Sequence, residues 1–93
     1  MHPGAIKAKI GGKRYDTEKA ALIAHGKYWH GHNTFLYRTP KGDYFIVRLT
    51  LRQGEQDTLD QVSQEEARKL WESLPEHEVE FEEGFPQVKV EEE

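Results

Sequence analysis

The chain has 93 residues, of which 35% are hydrophobic and 32% charged, with no cysteine and a formal net charge of −4. That length makes one domain with a thin core under an ionic surface, and the lack of cysteine excludes disulfides and thiolate metal sites. Residues 1–54 hold ten Lys/Arg against Asp16, Glu18 and Asp43, a net of +7, whereas residues 55–93 hold Arg68, Lys69 and Lys89 against fourteen acids, a net of −11.

Such a basic half points to an anionic partner, and such an acidic half to repulsion or mimicry of that partner. Met1-His2-Pro3-Gly4 lacks the apolar run of a signal peptide. No stretch approaches the ~20 apolar residues needed to span a bilayer. The expectation is a cytoplasmic protein with no membrane partner.

Residues 5–17 read as a β-hairpin. Ile6, Ala8 and Ile10 alternate with Lys7 and Lys9, and Gly11-Gly12 supplies the positive φ angles of a two-residue turn. Ile10 then faces Lys13, Lys9 faces Arg14 and Ala8 faces Tyr15. A helix is expected from about Thr17 to His25, capped by Asp16 or Thr17, with Ala20, Ile23, Ala24 and Tyr28 as its apolar stripe and Gly26 as its stop.

Thr39-Pro40-Lys41-Gly42-Asp43 predicts a second hairpin with a three-residue bulged loop. That choice sets Arg38 opposite Tyr44, Tyr37 opposite Phe45, Leu36 opposite Ile46 and Phe35 opposite Val47. One side becomes a core face of Phe35, Tyr37, Phe45, Val47, Leu49 and Leu51. The other carries Leu36, Arg38, Tyr44, Ile46, Arg48, Thr50 and Arg52.

Gln53 to Gln61 reads as a polar loop. Ser63 and Glu66 make a capping box, and Ala67, Leu70, Trp71 and Leu74 repeat at helical spacing until Pro75. Val79 and Phe81 alternate with Glu78, Glu80 and Glu82, which predicts a strand over 78–82. A turn at Glu83-Gly84 and a return from Phe85 to Val90 follow, and residues 91–93 form a disordered acidic end. The order is ββαββα with an optional C-terminal strand. It describes an α+β domain over residues 1–90, an antiparallel sheet from two hairpins with two helices on one face.

Three groups of residues carry chemistry. If both hairpins join one sheet, Lys7, Lys9, Arg14, Arg38, Arg48 and Arg52 share the face away from the helices, with Tyr44 among them and Lys41 at the tip. Such a face binds a protein partner or neutralises phosphates while a ring stacks on a base; it also suits a plain solvated surface that resists edge aggregation. His25, His30 and His32 have a spacing that can share a zinc or nickel ion in an extended segment, although histidines in a Gly-containing connector are more often surface residues. The acidic run from Glu76 to Glu93, interleaved with Val79, Phe81, Phe85, Val88 and Val90, has the pattern of a segment that adds as a strand to another chain, or of an ordinary edge strand with Glu outward.

Catalytic signatures are lacking. Ser63 is explained by capping, Ser73 lies late in a helix, and no Ser has a Gly-x-Ser-x-Gly context. Nothing in the spacing of Asp57 and Asp60, or of Asp16 and Asp43, requires paired carboxylates. Gly11-Gly12 is a hairpin turn rather than a phosphate loop, and no cofactor is expected.

Gly12-Lys13-Arg14-Tyr15-Asp16-Thr17-Glu18-Lys19-Ala20, Leu36-Tyr37-Arg38-Thr39-Pro40-Lys41-Gly42-Asp43-Tyr44-Phe45 and Ser63-Gln64-Glu65-Glu66-Ala67 together resemble a loose group of short, uncharacterised bacterial proteins. These are often carried on plasmids, phages and conjugative elements. The resemblance implies a small accessory protein of the accessory genome and brings no established activity. Members usually carry a more Gly-rich segment where this chain has Arg48 to Gln61, and the histidine cluster is not part of the shared pattern.

The leading expectation is a non-enzymatic interaction protein acting through its basic sheet face or its acidic C-terminal strand. Nucleic-acid binding through the basic face and metal binding through the histidines are its rivals. A homodimer is expected from the small core and the oppositely charged regions.

Overall fold

Gly11 (φ 57°) and Gly12 (φ 78°) take the left-handed angles that a two-residue hairpin turn demands. They join β1 (Lys7–Ile10) to β2 (Lys13–Asp16) in the expected register, with Ile10 opposite Lys13, Lys9 opposite Arg14 and Ala8 opposite Tyr15. The structure is a computed structural model describing residues 4–88. In it this hairpin is a separate two-stranded sheet rather than part of the main one.

The helix expected from Thr17 to His25 does not form. Asp16 closes a turn instead: its carbonyl accepts from the N–H groups of Lys19 and Ala20, and its carboxylate accepts from Glu18 N–H. The chain then enters β3 (Ala21–His25). A register shift between Leu22 and Ala24 marks a bulge at Ile23. A bulge lets two successive residues face one side of a sheet, so Ile23 and Ala24 both enter one core cluster while Leu22 packs against the other. That spacing is what imitates a helical stripe in the sequence.

His30 (φ 50°) and Gly31 (φ 83°) make a second two-residue turn, closed by the mutual hydrogen bonds of Trp29 and His32. β4 (His32–Arg38) and β5 (Tyr44–Thr50) follow, joined by the loop with Gly42 at φ 92°. The register is the expected one, Arg38 opposite Tyr44 and Phe35 opposite Val47. Part of the expected polar loop is a strand: β6 (Thr58–Val62) pairs with β5, placing Leu59 opposite Val47 and Val62 opposite Tyr44. Two inward residues suffice to hold it at the sheet edge.

Ser63 caps α1 (Gln64–Ser73), its hydroxyl oxygen accepting from Glu66 N–H at 3.1 Å. After Pro75 a two-residue strand, β7 (Glu76–His77), pairs with the outer edge of β3. The strand expected over 78–82 is replaced by a helical turn, α2 (Phe81–Gly84). Phe81 and Phe85 lie four apart, so a helix puts both rings on one side, where they stack at 4.9 Å. A strand would have set Phe81 and Val79 inward alone and left Phe85 after a turn. Residues 86 to 88 are a turn and bend in which Val88 N–H donates to Phe85 O, so the expected return does not form there; residues 89 and 90 and the acidic end at 91–93 lie outside the described residues.

The main sheet is antiparallel in the order β6-β5-β4-β3-β7. Both of its faces are covered. On one, Ile23, Ala24, Leu36, Tyr44 and Ile46 pack with Ala67 of α1 and Phe85, flanked by Leu70, Trp71, Leu74 and Phe81. On the other, Phe35, Tyr37, Phe45, Val47 and Leu49 pack with Tyr15, Ile6 and Ile10 of the N-terminal hairpin. The α+β class expected from the sequence is the class observed, with both helices on one face and the hairpin on the other.

Candidate functional site

The separation of the two sheets redistributes the predicted basic face. Arg38, Tyr44 and Arg48 belong to the side of the main sheet that faces the helices, not the side away from them. Tyr44 is only 3% exposed. Its ring stacks on Phe85 at 4.9 Å and its hydroxyl donates to Gly84 O at 2.6 Å. It is a core residue and presents no ring to a base. Arg38 is half-buried, with its guanidinium beside Gly42 in the β4–β5 loop. Arg48 is exposed opposite Thr34 and Thr58. Arg52 lies past the far end of β5 and donates from Nε to His30 O at 3.0 Å. Lys7 is exposed opposite Asp16, at the end of β1 away from the turn.

Lys9, Arg14 and Lys41 come together elsewhere. A groove of about 780 Å³ runs between the N-terminal hairpin and the β4–β5 loop, and it is lined by Lys9, Lys13, Arg14, Lys19 and Lys41 with Tyr15 at its base. Lys9 and Arg14 are direct cross-strand partners, and like charges so placed repel. Among the described residues, Lys9, Arg14, Lys19 and Lys41 take part in no ion pair.

The two acids that line the groove are already engaged. Asp16 is buried and closes the turn to β3. Asp43 accepts a hydrogen bond from Lys13 Nζ at 3.1 Å, and its own N–H donates to Thr39 Oγ1. This contact with Asp43, first by its hydrogen bond and then by its charge, holds the Lys13 ammonium above its ordinary pKa. Lys13 thus links the hairpin to the main sheet, and among the described residues the cations around it have no ion-pair partner.

Lys13 and Lys19 were not legible as site residues. Lys13 pairs with Ile10 on the inward side of the hairpin, and Lys19 falls in the segment that reads as a helix. Only the packing of one hairpin against the other's tip brings them together.

The three histidines point to separate partners. His25 Nε2 lies 2.8 Å from Glu78 Oε1 and Nδ1 2.9 Å from Gly26 O, with the ring stacked on Phe35 at 5.5 Å. His32 Nε2 lies 3.1 Å from Glu55 Oε2. His30 sits edge-on to Trp29 at 4.7 Å. Glu55 also accepts from the Thr50 hydroxyl at 2.9 Å. That bond, then His32, draws its carboxyl below the ordinary range. Among the described residues no three metal-ligating side chains converge.

The hydroxyls and remaining acids have structural work. Ser63 caps α1, Ser73 donates to Leu70 O, and Asp57 accepts from Thr50 N–H. Among the described residues no helix is long and apolar enough to cross a membrane. No protein-family model matches the chain, and no curated protein or solved structure is significantly similar to it.

Proposed function

We propose that this chain is a non-enzymatic interaction protein that holds an acidic partner protein in the groove between its N-terminal hairpin and the β4–β5 loop. The observation that carries this reading is the convergence of Lys9, Arg14, Lys19 and Lys41, none ion-paired among the described residues, around a groove whose two acids are engaged. Clustered cations beside a low-dielectric wall attract carboxylates and speed their encounter. A protein partner is favoured over nucleic acid because Tyr15 and Tyr44 are both buried, which leaves the groove without a stacking ring. The cytoplasm, and a place in an accessory genome, belong to the same proposal and rest on the sequence pattern.

Binding of a fluorescent Glu-rich peptide, followed by anisotropy at low salt and at about 0.5 M salt, tests the reading, because contacts among exposed charges are screened at the higher concentration. The expected result is binding that is lost at high salt and lost in a Lys9→Glu/Arg14→Glu variant. Equal binding by that variant, or tighter binding of an oligonucleotide than of the peptide, would sink it. A dimer at low salt that dissociates at high salt would identify a second copy as the partner.

A further inference from the structure

We infer that the partner enters the groove by strand addition, as an extended acidic segment that pairs with the outer edge of β2 at Arg14. This rests on the groove reading above and names the form its ligand takes. In an antiparallel pair, opposed residues alternate between those that exchange backbone hydrogen bonds with each other and those whose N–H and C=O point outward. Thr17 N–H donates to Ile6 O, which fixes the phase of the β1–β2 ladder. Tyr15 and Lys13 therefore bond toward β1, and the backbone N–H and C=O of Arg14 point away from it.

β2 has no strand partner on that side among the described residues. Residues 12 to 16 form the wall of the groove there, and Lys13 and Arg14 are exposed. An open strand edge is a template for a further strand, with affinity from main-chain hydrogen bonds and specificity from alternate side chains.

Charge chooses this edge over the free edge of β6, and the groove chooses it over the outer edge of β1, of which the groove takes in only Lys9. The free edge of β6 carries Asp60, and the loop before it carries Glu55 and Asp57, so an acidic segment is repelled there. At β2, alternate residues of an added strand lie beside Arg14, with Lys9 one strand further in and Lys19 and Lys41 on the groove's other margins. A carboxylate placed beside Arg14 offsets the positive charge that Arg14 and Lys9 present together. A strand with glutamate at every second position meets both requirements at once.

The test uses the full chain and a synthetic peptide, Glu-Val-Glu-Val-Glu-Val-Glu, with a second version methylated on alternate backbone nitrogens. Affinity is read by anisotropy at low salt, and amide hydrogen exchange of Arg14 is read by NMR with and without peptide. The amides of Lys13 and Tyr15, already bonded to β1, are the internal reference. Strand addition predicts slower exchange at Arg14 on binding and an affinity lowered by about tenfold or more on methylation, as the loss of main-chain hydrogen bonds implies. If both peptides bind equally and Arg14 exchange is unchanged, strand addition is overturned while the groove reading stands. If neither peptide binds, both fall. Inorganic tripolyphosphate binding more tightly than the peptide, with no protection of Arg14, also overturns the inference.

Discussion

Replacing Arg14 by glutamate is expected to stabilise the fold while destroying the site, and the two effects arise from the same pair of side chains. Lys9 and Arg14 stand directly opposite in the hairpin, and Lys9 has no acid partner among the described residues. Directly opposed like charges cost, and unlike charges contribute, roughly 0.2–1 kcal/mol, with exposed pairs at the lower end. Arg14→Glu turns a repulsion into an attraction, so the summed gain is about 0.5–1 kcal/mol. For a domain of this size about 1 kcal/mol moves Tm by about 4–8 °C, so the expected rise is about 2–8 °C at low salt. Thermal unfolding followed by circular dichroism at low salt and at about 1 M salt separates the electrostatic part, because the Debye length at the higher concentration is only about 3 Å. The gain should shrink with salt, and the same variant should lose the acidic peptide. A Tm that falls, or one that rises equally at both salt concentrations, would refute the charge-pair account. Stability given up for an uncompensated cluster is the expected mark of a site that needs those charges.

Phe85→Ala removes a fully buried ring stacked on Tyr44 and Phe81; a loss of about 3–5 kcal/mol is expected by urea unfolding, against about 1–3 kcal/mol for Tyr44→Phe, which leaves Gly84 O unpaired. Equal costs would show that the hydroxyl, not the ring stack, holds α2. Ser63→Ala should cost about 1 kcal/mol through the lost cap at Glu66 N–H, with Ser63→Asp restoring it. Burial pushes the Tyr37 phenol up to about 12. The folded state thus holds this proton more tightly than the unfolded state, whose phenol titrates near about 10. Stability is full below that ordinary value and is lost by about 3 kcal/mol as pH rises from about 10 to about 12. A phenolate absorbance titration should show a late component that is lost in Tyr37→Phe, and a Tyr37→Phe variant as alkali-sensitive as the parent would contradict this.

Both hairpin registers were legible because turn chemistry is local. Gly11-Gly12 and Gly42 have few alternatives to the left-handed region, and each fixes every pair in the strands that follow. The Ser63–Glu66 cap was legible for the same reason. What could not be read depended on partners distant in the chain. Ile23 and Ala24 mimic a helix because β3 is bulged where it pairs with β4. Leu59 makes a strand of a polar segment only because Val47 lies opposite it. The groove was half legible: Lys9, Arg14 and Lys41 were expected at a basic surface, but on one continuous sheet with Tyr44. The hairpin is instead a sheet of its own, with Tyr15 in one core cluster and Tyr44 in the other.

The pairing of β7 with β3 has a consequence for synthesis on the ribosome. β3, β4, β5 and β6 are successive neighbours in the sheet, so each can dock on its predecessor as it emerges. The outer edge of β3 must instead wait for Glu76 and His77, and the Ile23–Tyr44 surface waits for Phe85. The nascent chain therefore carries an open edge, and an apolar face covered by α1 alone, until Phe85 is made. A stop codon placed just before Glu76 would yield a chain with most of its sheet paired and the place of Phe81 and Phe85 on that face left open, the kind of species that aggregates or recruits chaperones.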